Sequence, residues 1–287
     1  MLEREFAGPQ IRLVNLASGS NANALLLQVS GVTILVDCGQ APRKLAGSLQ
    51  ALGLSLDAID IVFVTHEHGD HVRALPQLQR TGATIVTSKG TANALGLSDR
   101  DYMLAAKWKE RVIAGIELLP LPVSHDSSEP LGVLIRAAGL CVCVMTDLGR
   151  VDPELLTPMA EADIIVIEAN HDVDMLRNGP YPASLKRRVL SSKGHLSNAD
   201  SGVALRRMIA HSGSRPDIWL AHLSETNNRS STAVTTVQQH VPGVRVSALE
   251  RHAPIDLLAH RTLTSSTRRE TQSRLWPDDE PIVSTRQ

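Results

Sequence analysis

The stretch THEHGDH, from Thr65 to His71, puts four potential metal ligands into six consecutive positions. Imidazole nitrogens and carboxylate oxygens bind zinc-like ions at about 2.0–2.2 Å. The stretch follows an apolar run, residues 59–65, of the kind that forms a strand buried on both faces. At the turn after such a strand the four side chains can converge on one place. Their arrangement suits two adjacent metal ions better than one. The alternative interpretation is a solvated polar turn that binds no metal. The four residues are His66, His68, Asp70 and His71.

Three later apolar runs each end in a single histidine or aspartate. They are LPLPVSH, which ends at His125, CVCVMTD, which ends at Asp147, and DIWLAH, which ends at His222. A single histidine or aspartate at a strand end is more often a hydrogen-bonding group than a metal ligand. Because four strands finish this way, and because sites in open sheets gather at the carboxyl edge, we expect all of them to join one metal site.

The remaining sequence alternates β-rich and helical stretches. Strands are predicted at 11–16, 25–29, 32–36, 59–65, 84–87, 117–123, 133–137, 140–146, 164–167, 218–221 and 244–246, and helices at 42–52, 70–80, 182–190, 200–210 and 232–240. Two strand-rich halves that each finish in helices and strands predict an α/β (α+β) fold with two sheets between helices. From about residue 262 the sequence is polar and aperiodic, which predicts a folded domain of 1–261 and an unstructured tail of 262–287.

Composition narrows the class of protein. The 287 residues suffice for a full core, and 43% hydrophobic with 21% charged residues is typical of a globular protein. With a net charge of -1, an anionic substrate must be held by a local cluster or by metal. Cys38, Cys141 and Cys143 lack ligand-like spacing and are predicted to be core residues. The chain shows neither a signal peptide nor an apolar run of about 20 residues, so we expect a cytoplasmic protein.

Two further stretches contain residues that are suited to proton transfer. IEANHD places Glu168 at the end of a strand, and SKGHLSNAD places His195 before a helix that Ser197 or Asn198 could cap. A leaving alkoxide is strongly basic, and histidine can protonate it near neutral pH. Glu168 would orient the ring of His195 and favour its charged form, while His171 is expected to support the site. The alternative role for His195 is helix capping.

These motifs together resemble the metallo-β-lactamase superfamily, whose mark is an H-x-H-x-D-H cluster with later His, Asp and His. The resemblance implies an αββα four-layer sandwich of two mixed sheets flanked by helices. It also implies the distribution of ligands: His66, His68 and His125 for one ion, Asp70, His71 and His222 for the other, and Asp147 as the bridge. Asp37, in LVDCG, matches an aspartate that the superfamily keeps beside the site, although on sequence alone it is equally a turn residue.

The flanking motifs narrow the resemblance. The order Glu, GHLS and LAHLS is similar to the phosphodiesterase branch that includes transfer-RNA 3′-processing nucleases, where a Glu–His pair assists the leaving oxygen. SGSNANA at 18–24, HDSSEPLG at 125–132, KGHLSNAD at 193–200 and LAHLSETNN at 220–228 resemble the YycJ/WalJ family, which is associated with 5′-to-3′ exonuclease action on DNA. The resemblance implies two divalent ions (Zn, Mn or Fe) and a nucleic-acid substrate, DNA rather than RNA. This chain departs from the family pattern at Ala22, a position of the first loop where glycine is expected.

The dense basic cluster SLKRRVLSSK precedes His195, and its cations could track phosphates towards the metals. They are Lys186, Arg187, Arg188 and Lys193. A solvated helix face is an equal alternative, because three consecutive cations cannot share one side of a helix. Tyr181, Trp108 and Trp219 are too scattered to predict a base-stacking platform, and Trp219 is expected in the core.

Several functions remain open on the sequence. Within phosphodiesterases the alternative is a small cyclic substrate of the phosphoribosyl cyclic phosphate type. A thioester or amide hydrolase on the same fold would need the metals but not the Glu168–His195 pair. A metal-dependent regulatory or scaffold protein is the non-enzymatic possibility, against which the intact ligand set argues.

Overall fold

The protein is described from a computed structural model, in which residues 11–249 and 255–258 are described. The strands are β1 Arg12–Ala17, β2 Ala24–Val29, β3 Val32–Val36, β4 Ile61–Phe63, β5 Thr84–Thr87, β6 Met103–Leu104, β7 Arg111–Ile113, β8 Ile116–Pro122, β9 Leu131–Ala137, β10 Leu140–Met145, β11 Ile164–Glu168, β12 Asp217–Ala221, β13 Val246–Ala248 and β14 Ile255–Asp256. The helices are α1 Pro42–Gln50, α2 Gly69–Val72, α3 Leu75–Leu78, α4 Lys89–Ala94, α5 Leu156–Glu161, α6 Val173–Asn178, α7 Ala183–Val189, α8 Asn198–Ser212 and α9 Ser230–His240.

The strands form two mixed sheets of seven strands each. The first has the order β14-β1-β2-β3-β4-β5-β6 and the second the order β13-β12-β11-β10-β9-β8-β7. Apolar side chains of both sheets, such as Phe63 of β4 and Val142 of β10, pack into one core between them. Burial of these apolar side chains removes apolar surface from water and holds the sheets face to face.

Helices cover the outer face of each sheet. Leu45 and Leu49 of α1 pack with Leu35 and Val62 on the outside of the first sheet. On the outside of the second sheet, apolar residues of α5, α8 and α9 form a separate cluster with β10, β11 and β12. The predicted four-layer αββα sandwich is therefore confirmed.

Strand directions bring the polar strand ends to a common edge. In the first sheet β3, β4 and β5 are mutually parallel, and in the second β10, β11, β12 and β13 are parallel. β8 runs the same way as β10, because both pair antiparallel with β9. The Leu131 N–H donates to the Thr65 carbonyl at 3.0 Å and ties the two sheets together beside the edge.

Most predicted elements are found with boundaries shifted by a few residues, but the single helix predicted at 70–80 is wrong. The segment forms α2, α3 and a short 3-10 turn at Gln79–Thr81 instead. Pro76 explains the break, because it has no N–H for the carbonyl of Val72 and its ring would clash with that carbonyl. The predicted strand at 59–65 is also shorter, though Ile61–Phe63 is buried throughout as expected.

Other outcomes concern single residues and the ends of the chain. Cys38 and Cys143 are fully buried, whereas Cys141 is only half-buried, and all three thiols are free. Trp219 lies in the core. The predicted boundary between 261 and 262 falls outside the described residues. No helix in the described part of the chain combines the length and apolar character that crossing a bilayer requires.

Candidate metal centre

All seven sequence-predicted metal ligands meet at the shared carboxyl edge of the two sheets. Their nitrogen and oxygen atoms form overlapping groups, each within 4.8 Å: His66, His68 and His125; His66, His71 and Asp147; Asp70, His71 and His222. A fourth group joins Asp147 and His222 to Glu168 and His195. The first and third groups match the two ligand sets that the resemblance implied, and Asp147 contacts residues of both.

In each of four ligand histidines, Nδ1 is within hydrogen-bond distance of a protein oxygen, so Nε2 is the nitrogen that can bind a metal ion at the centre of the cluster. His71 Nδ1 lies 2.7 Å from Asp37 Oδ2, and His222 Nδ1 lies 2.7 Å from Glu168 Oε1. His125 Nδ1 lies 3.1 Å from the Gly194 carbonyl, and His66 Nδ1 lies 3.0 Å from Thr65 Oγ1. Such partners fix the orientation and tautomer of a metal-binding imidazole.

Several inward-facing atoms lack a hydrogen-bond partner among the described residues. They include His125 Nε2 and His222 Nε2. Buried polar atoms are normally satisfied, so unpartnered ring nitrogens within these two ligand groups fit a cation in each group. His66 Nε2 and His68 Nδ1 lie 3.1 Å apart, close to the separation of about 3.3 Å for two nitrogens on one tetrahedral ion. The residues therefore fit divalent metal.

Asp147 is the electrostatic centre of the cluster. Its Oδ2 lies 2.9 Å from His71 Nε2, and its Oδ1 lies 3.8 Å from His125 Nε2. Burial disfavours ionisation of Asp147, but His222 and His71 outweigh it and hold its pKa well below the usual value. Burial likewise opposes the charged form of His222, yet Asp147, Asp70 and Glu168 raise its pKa to about 10. The carboxylates thus keep protons on neighbouring histidines, and bound cations would replace that positive charge.

The backbone is strained where it presents three of these side chains. Asp37, Asp147 and His222 follow β3, β10 and β12 with φ values of 60°, 56° and 56°. Residues other than glycine rarely adopt this left-handed conformation, which costs about 1–3 kcal/mol unless the surroundings enforce it. The turn in each case swings the side chain from the strand end into the cluster. Asp37 is therefore part of the site rather than a simple turn residue.

Glu168 holds two histidines at once. Its Oε1 lies 2.8 Å from His195 Nδ1 and 2.7 Å from His222 Nδ1, while its Oε2 accepts the Leu148 and Leu196 N–H groups. Burial opposes ionisation, but His195 and His222 lower the pKa of Glu168 to about 2. Burial also opposes protonation of His195, and Glu168 more than offsets it and raises that pKa. The sequence predicted the first contact but not the second.

The structure divides the predicted basic cluster. Arg188 pairs with Asp126 at 2.5 Å, beside His125, and Lys193 lines a groove that also contains His125. Lys186 donates instead to the Arg177 carbonyl, and Arg187 is exposed on α7. Two of the four cations therefore lie near the cluster.

Residues that the sequence reasoning did not single out also support the site. Asn23 Nδ2 lies 3.0 Å from His71 Nε2 and 3.5 Å from Asp70 Oδ2. Thr65 donates its N–H to Asp37 at 2.9 Å. Asn23 lies in the quoted SGSNANA motif, so that motif was the available signal. Ser197 caps α8 as predicted, while His171 is buried with both ring nitrogens unpaired among the described residues, and its supporting role stays a prediction.

Gly39 fixes the position of the turn that carries Asp70. A Cβ built on Gly39 would lie 1.5 Å from the Asp70 carbonyl oxygen, and the Gly39 N–H donates to Asn23 at 2.9 Å. We expect Gly39→Ala to lower the free energy of unfolding by about 3 kcal/mol, because the backbone at Asp70 must move away from the added Cβ. The same movement displaces the Asp70 side chain and should reduce the metal content. Urea denaturation and elemental analysis measure both.

Gly47, in the middle of α1, is the matched control. A Cβ there meets nothing within 4 Å, so Gly47→Ala should raise the free energy of unfolding by about 1 kcal/mol and leave metal content unchanged. A Gly39→Ala protein as stable and as metal-rich as the parent would show that the close approach is unimportant.

Comparisons with known proteins show the family and the fold of the chain. Residues 32–213 match a family model described as a beta-lactamase superfamily domain. The exodeoxyribonuclease YycJ of Bacillus anthracis is 32% identical over 230 residues, which are 78% of this chain and 86% of that protein. The exodeoxyribonuclease WalJ of Streptococcus pneumoniae serotype 2 is 33% identical over 77% of this chain and 85% of that protein. The metallo-beta-lactamase fold protein YhfI of Bacillus subtilis shares the fold, with a TM-score of 0.66 at 16% identity over 86% of this chain and 100% of that one.

Proposed function

Because the chain belongs to the metallo-β-lactamase superfamily, and within it to the family of the exodeoxyribonucleases YycJ and WalJ, we propose that it is a two-metal phosphodiesterase that degrades DNA from the 5′ end. The observation that carries the proposal is the meeting of seven buried or half-buried ligands with the Glu168–His195 pair at one sheet edge. A nuclease needs both parts, since a phosphodiester in DNA has a poor leaving group.

The ligands divide between two cations. His66, His68 and His125 would hold one, and Asp70, His71 and His222 would hold the other, with Asp147 between them. Zn, Mn and Fe all suit such His and Asp donors. When bound, the pair lowers the pKa of water and offsets the charge that develops on the phosphate oxygens.

His195 supplies the proton that the departing oxygen takes. Glu168 holds its Nδ1, which leaves Nε2 as the nitrogen that can donate. The His195 side chain is 17% exposed, so a substrate can reach it, whereas Glu168 is fully buried and acts only through its histidines. A thioester hydrolase has no comparable use for this pair, because a thiolate leaves without taking a proton, and this favours the phosphodiester over the thioester.

An end-labelled nuclease assay tests the proposal. DNA and RNA strands with a label at either the 5′ or the 3′ end are incubated with protein loaded with Mn or Zn. We expect DNA with a 5′ label to release labelled mononucleotide first, and His68→Ala to abolish the release. Protein that turns over a cyclic phosphate or a thioester but leaves every DNA strand intact would overturn the proposal.

A further inference from the structure

Arg188 lies near the end of α7, on the segment of chain that leads to His195. The His195 N–H donates at 3.0 Å to the carbonyl of Val189, the residue that follows Arg188. A Cβ built on Gly194 would lie 2.2 Å from the Arg188 carbonyl oxygen, so the chain can return this closely only at a glycine. The backbone of Arg188 is therefore held in a fixed position relative to His195.

The same segment is attached to the loop that carries His125. Ser124 Oγ donates to the Ser192 carbonyl at 2.8 Å, and His125 Nδ1 lies 3.1 Å from the Gly194 carbonyl. His125 is 5% exposed and belongs to one of the metal-ligand groups. The end of α7 is therefore held against the metal centre on the side of His125.

Asp126 holds the Arg188 side chain at the edge of the metal centre. Arg188 Nε donates to Asp126 Oδ2 at 2.5 Å, and Asp126 Oδ1 lies 3.3 Å from His125 Nε2, the nitrogen that can bind a metal ion. One carboxylate thus spans the distance between the guanidinium and that nitrogen. The hydrogen bond to Asp126 raises the pKa of Arg188. The charges of Asp147 and Asp70 act in the same direction, so the guanidinium also interacts with the carboxylates of the metal centre.

Arg188 keeps N–H groups that a ligand can use. A guanidinium has five N–H donors in a planar fork that matches the oxygens of a phosphate. Within residues 11–249 and 255–258, the guanidinium of Arg188 donates from Nε alone. The Arg188 side chain is 54% exposed, so an anion can approach it from solvent. An ion pair this exposed contributes little to stability, and its position beside the metal centre therefore indicates a role in binding.

The position of Asp126 determines which phosphate Arg188 can bind. The Asp126 carboxylate lies between the guanidinium and His125 Nε2, so it separates Arg188 from a phosphate that is bound to the metal ions. A DNA strand carries one phosphate per about 3.4 Å of its axis, so a neighbouring phosphate lies close by. Two cations at the metal centre would repel a free guanidinium, and the charge of Asp126 offsets that repulsion.

We propose that Arg188 binds the DNA phosphate next to the scissile one, and that Asp126 is the positioning residue that holds the guanidinium there. The inference rests on the proposed function and adds that the enzyme recognises its substrate as a polymer, through more than one phosphate. A small cyclic phosphate has no neighbouring phosphate and would gain nothing from Arg188. The adjacent Arg187 is exposed on α7 and takes no part in the contact with Asp126.

Kinetics with two substrates test the inference. DNA presents many phosphates, whereas bis(nitrophenyl) phosphate presents one. We expect Arg188→Gln to raise the KM for DNA about 10-fold and to change kcat less than about twofold, because a charge-assisted contact with a non-reacting group is lost. The same variant should turn over bis(nitrophenyl) phosphate at the parental rate. Asp126→Asn should raise the KM for DNA by a smaller factor, because the guanidinium stays charged but loses its anchor.

The salt dependence of binding gives a readout that does not rely on turnover. Fluorescence anisotropy of labelled DNA is measured between about 50 and 200 mM salt, in a His195→Ala background that cleaves slowly. Loss of one phosphate contact should lower the slope of log K against log[salt] by about 1 in Arg188→Gln. Arg188→Lys keeps the charge but not the planar fork, so it should restore the slope and only part of the affinity.

Arg187→Gln is the matched control, because it removes the same charge from the neighbouring residue of α7. It should keep the parental KM and salt slope, and both glutamine variants should melt like the parent. A parental KM for DNA in Arg188→Gln, or equal changes in Arg187→Gln, would overturn the inference. Equal losses on the two substrates would place Arg188 at the scissile phosphate and overturn it as well. A parent protein that cleaves no DNA would instead overturn the proposed function.

Discussion

Asp147→Asn is expected to lower DNA hydrolysis about 10³-fold and to reduce the number of bound ions. Asp147 is 2% exposed, and its two oxygens face the His71 and His125 nitrogens of the two ligand sets. The amide keeps the shape of the side chain but loses the charge that two cations require. Elemental analysis of the purified variant and turnover of a labelled strand measure the two effects.

Asp57→Asn provides the matched control. Asp57 is exposed in the short 3-10 turn before β4, and the same substitution there should leave both turnover and metal content at parental values. If Asp147→Asn retained two ions and parental turnover, Asp147 would not join the two ligand sets and the centre would have to be redrawn.

The ligands could be predicted from sequence because each one ends an apolar strand. His125, Asp147 and His222 are far apart in the chain, but parallel strands expose their carboxyl ends at one edge, so strand order alone places them together. Glu168 also ends a strand, β11, but His195 does not, and its pairing with Glu168 follows from the family resemblance rather than from strand order. The pattern of strand ends does not determine which side-chain atoms come within hydrogen-bond distance of one another. That Glu168 also binds His222 depends on a separation of 2.7 Å, which only the packed fold determines.

Other features cannot be predicted from local sequence patterns, because they arise in the folded structure. Gly39 looks like any turn glycine, and its necessity arises from the Asp70 carbonyl, which lies 31 residues away in sequence. Trp108 is one of three scattered aromatics in the sequence, and neither its 39% exposure nor its left-handed backbone, with a φ of 60°, leaves a trace in composition. In contrast, the break of the 70–80 helix was visible at Pro76, whose effect on the preceding turn outweighs the apolar periodicity.

His195→Ala is expected to slow hydrolysis of DNA about 10³-fold while slowing a bis(nitrophenyl) phosphate only a few-fold. Deoxyribose alkoxide is a strong base and needs a proton as it departs, whereas nitrophenolate leaves without one. Steady-state turnover of both substrates with the same enzyme preparation gives the ratio of the two losses.

The two-substrate comparison also separates the two roles that the geometry allows His195. Its Nδ1 lies 3.4 Å from Asp147 Oδ1, and the residue belongs to one of the possible metal-binding groups. A metal ligand would be needed for every substrate, so its loss would slow both equally and lower the metal content. A proton donor is needed only for the poor leaving group, and its loss leaves the ions in place. His211→Ala, on the exposed end of α8, should change neither rate, and equal losses on the two substrates would assign His195 to the metals.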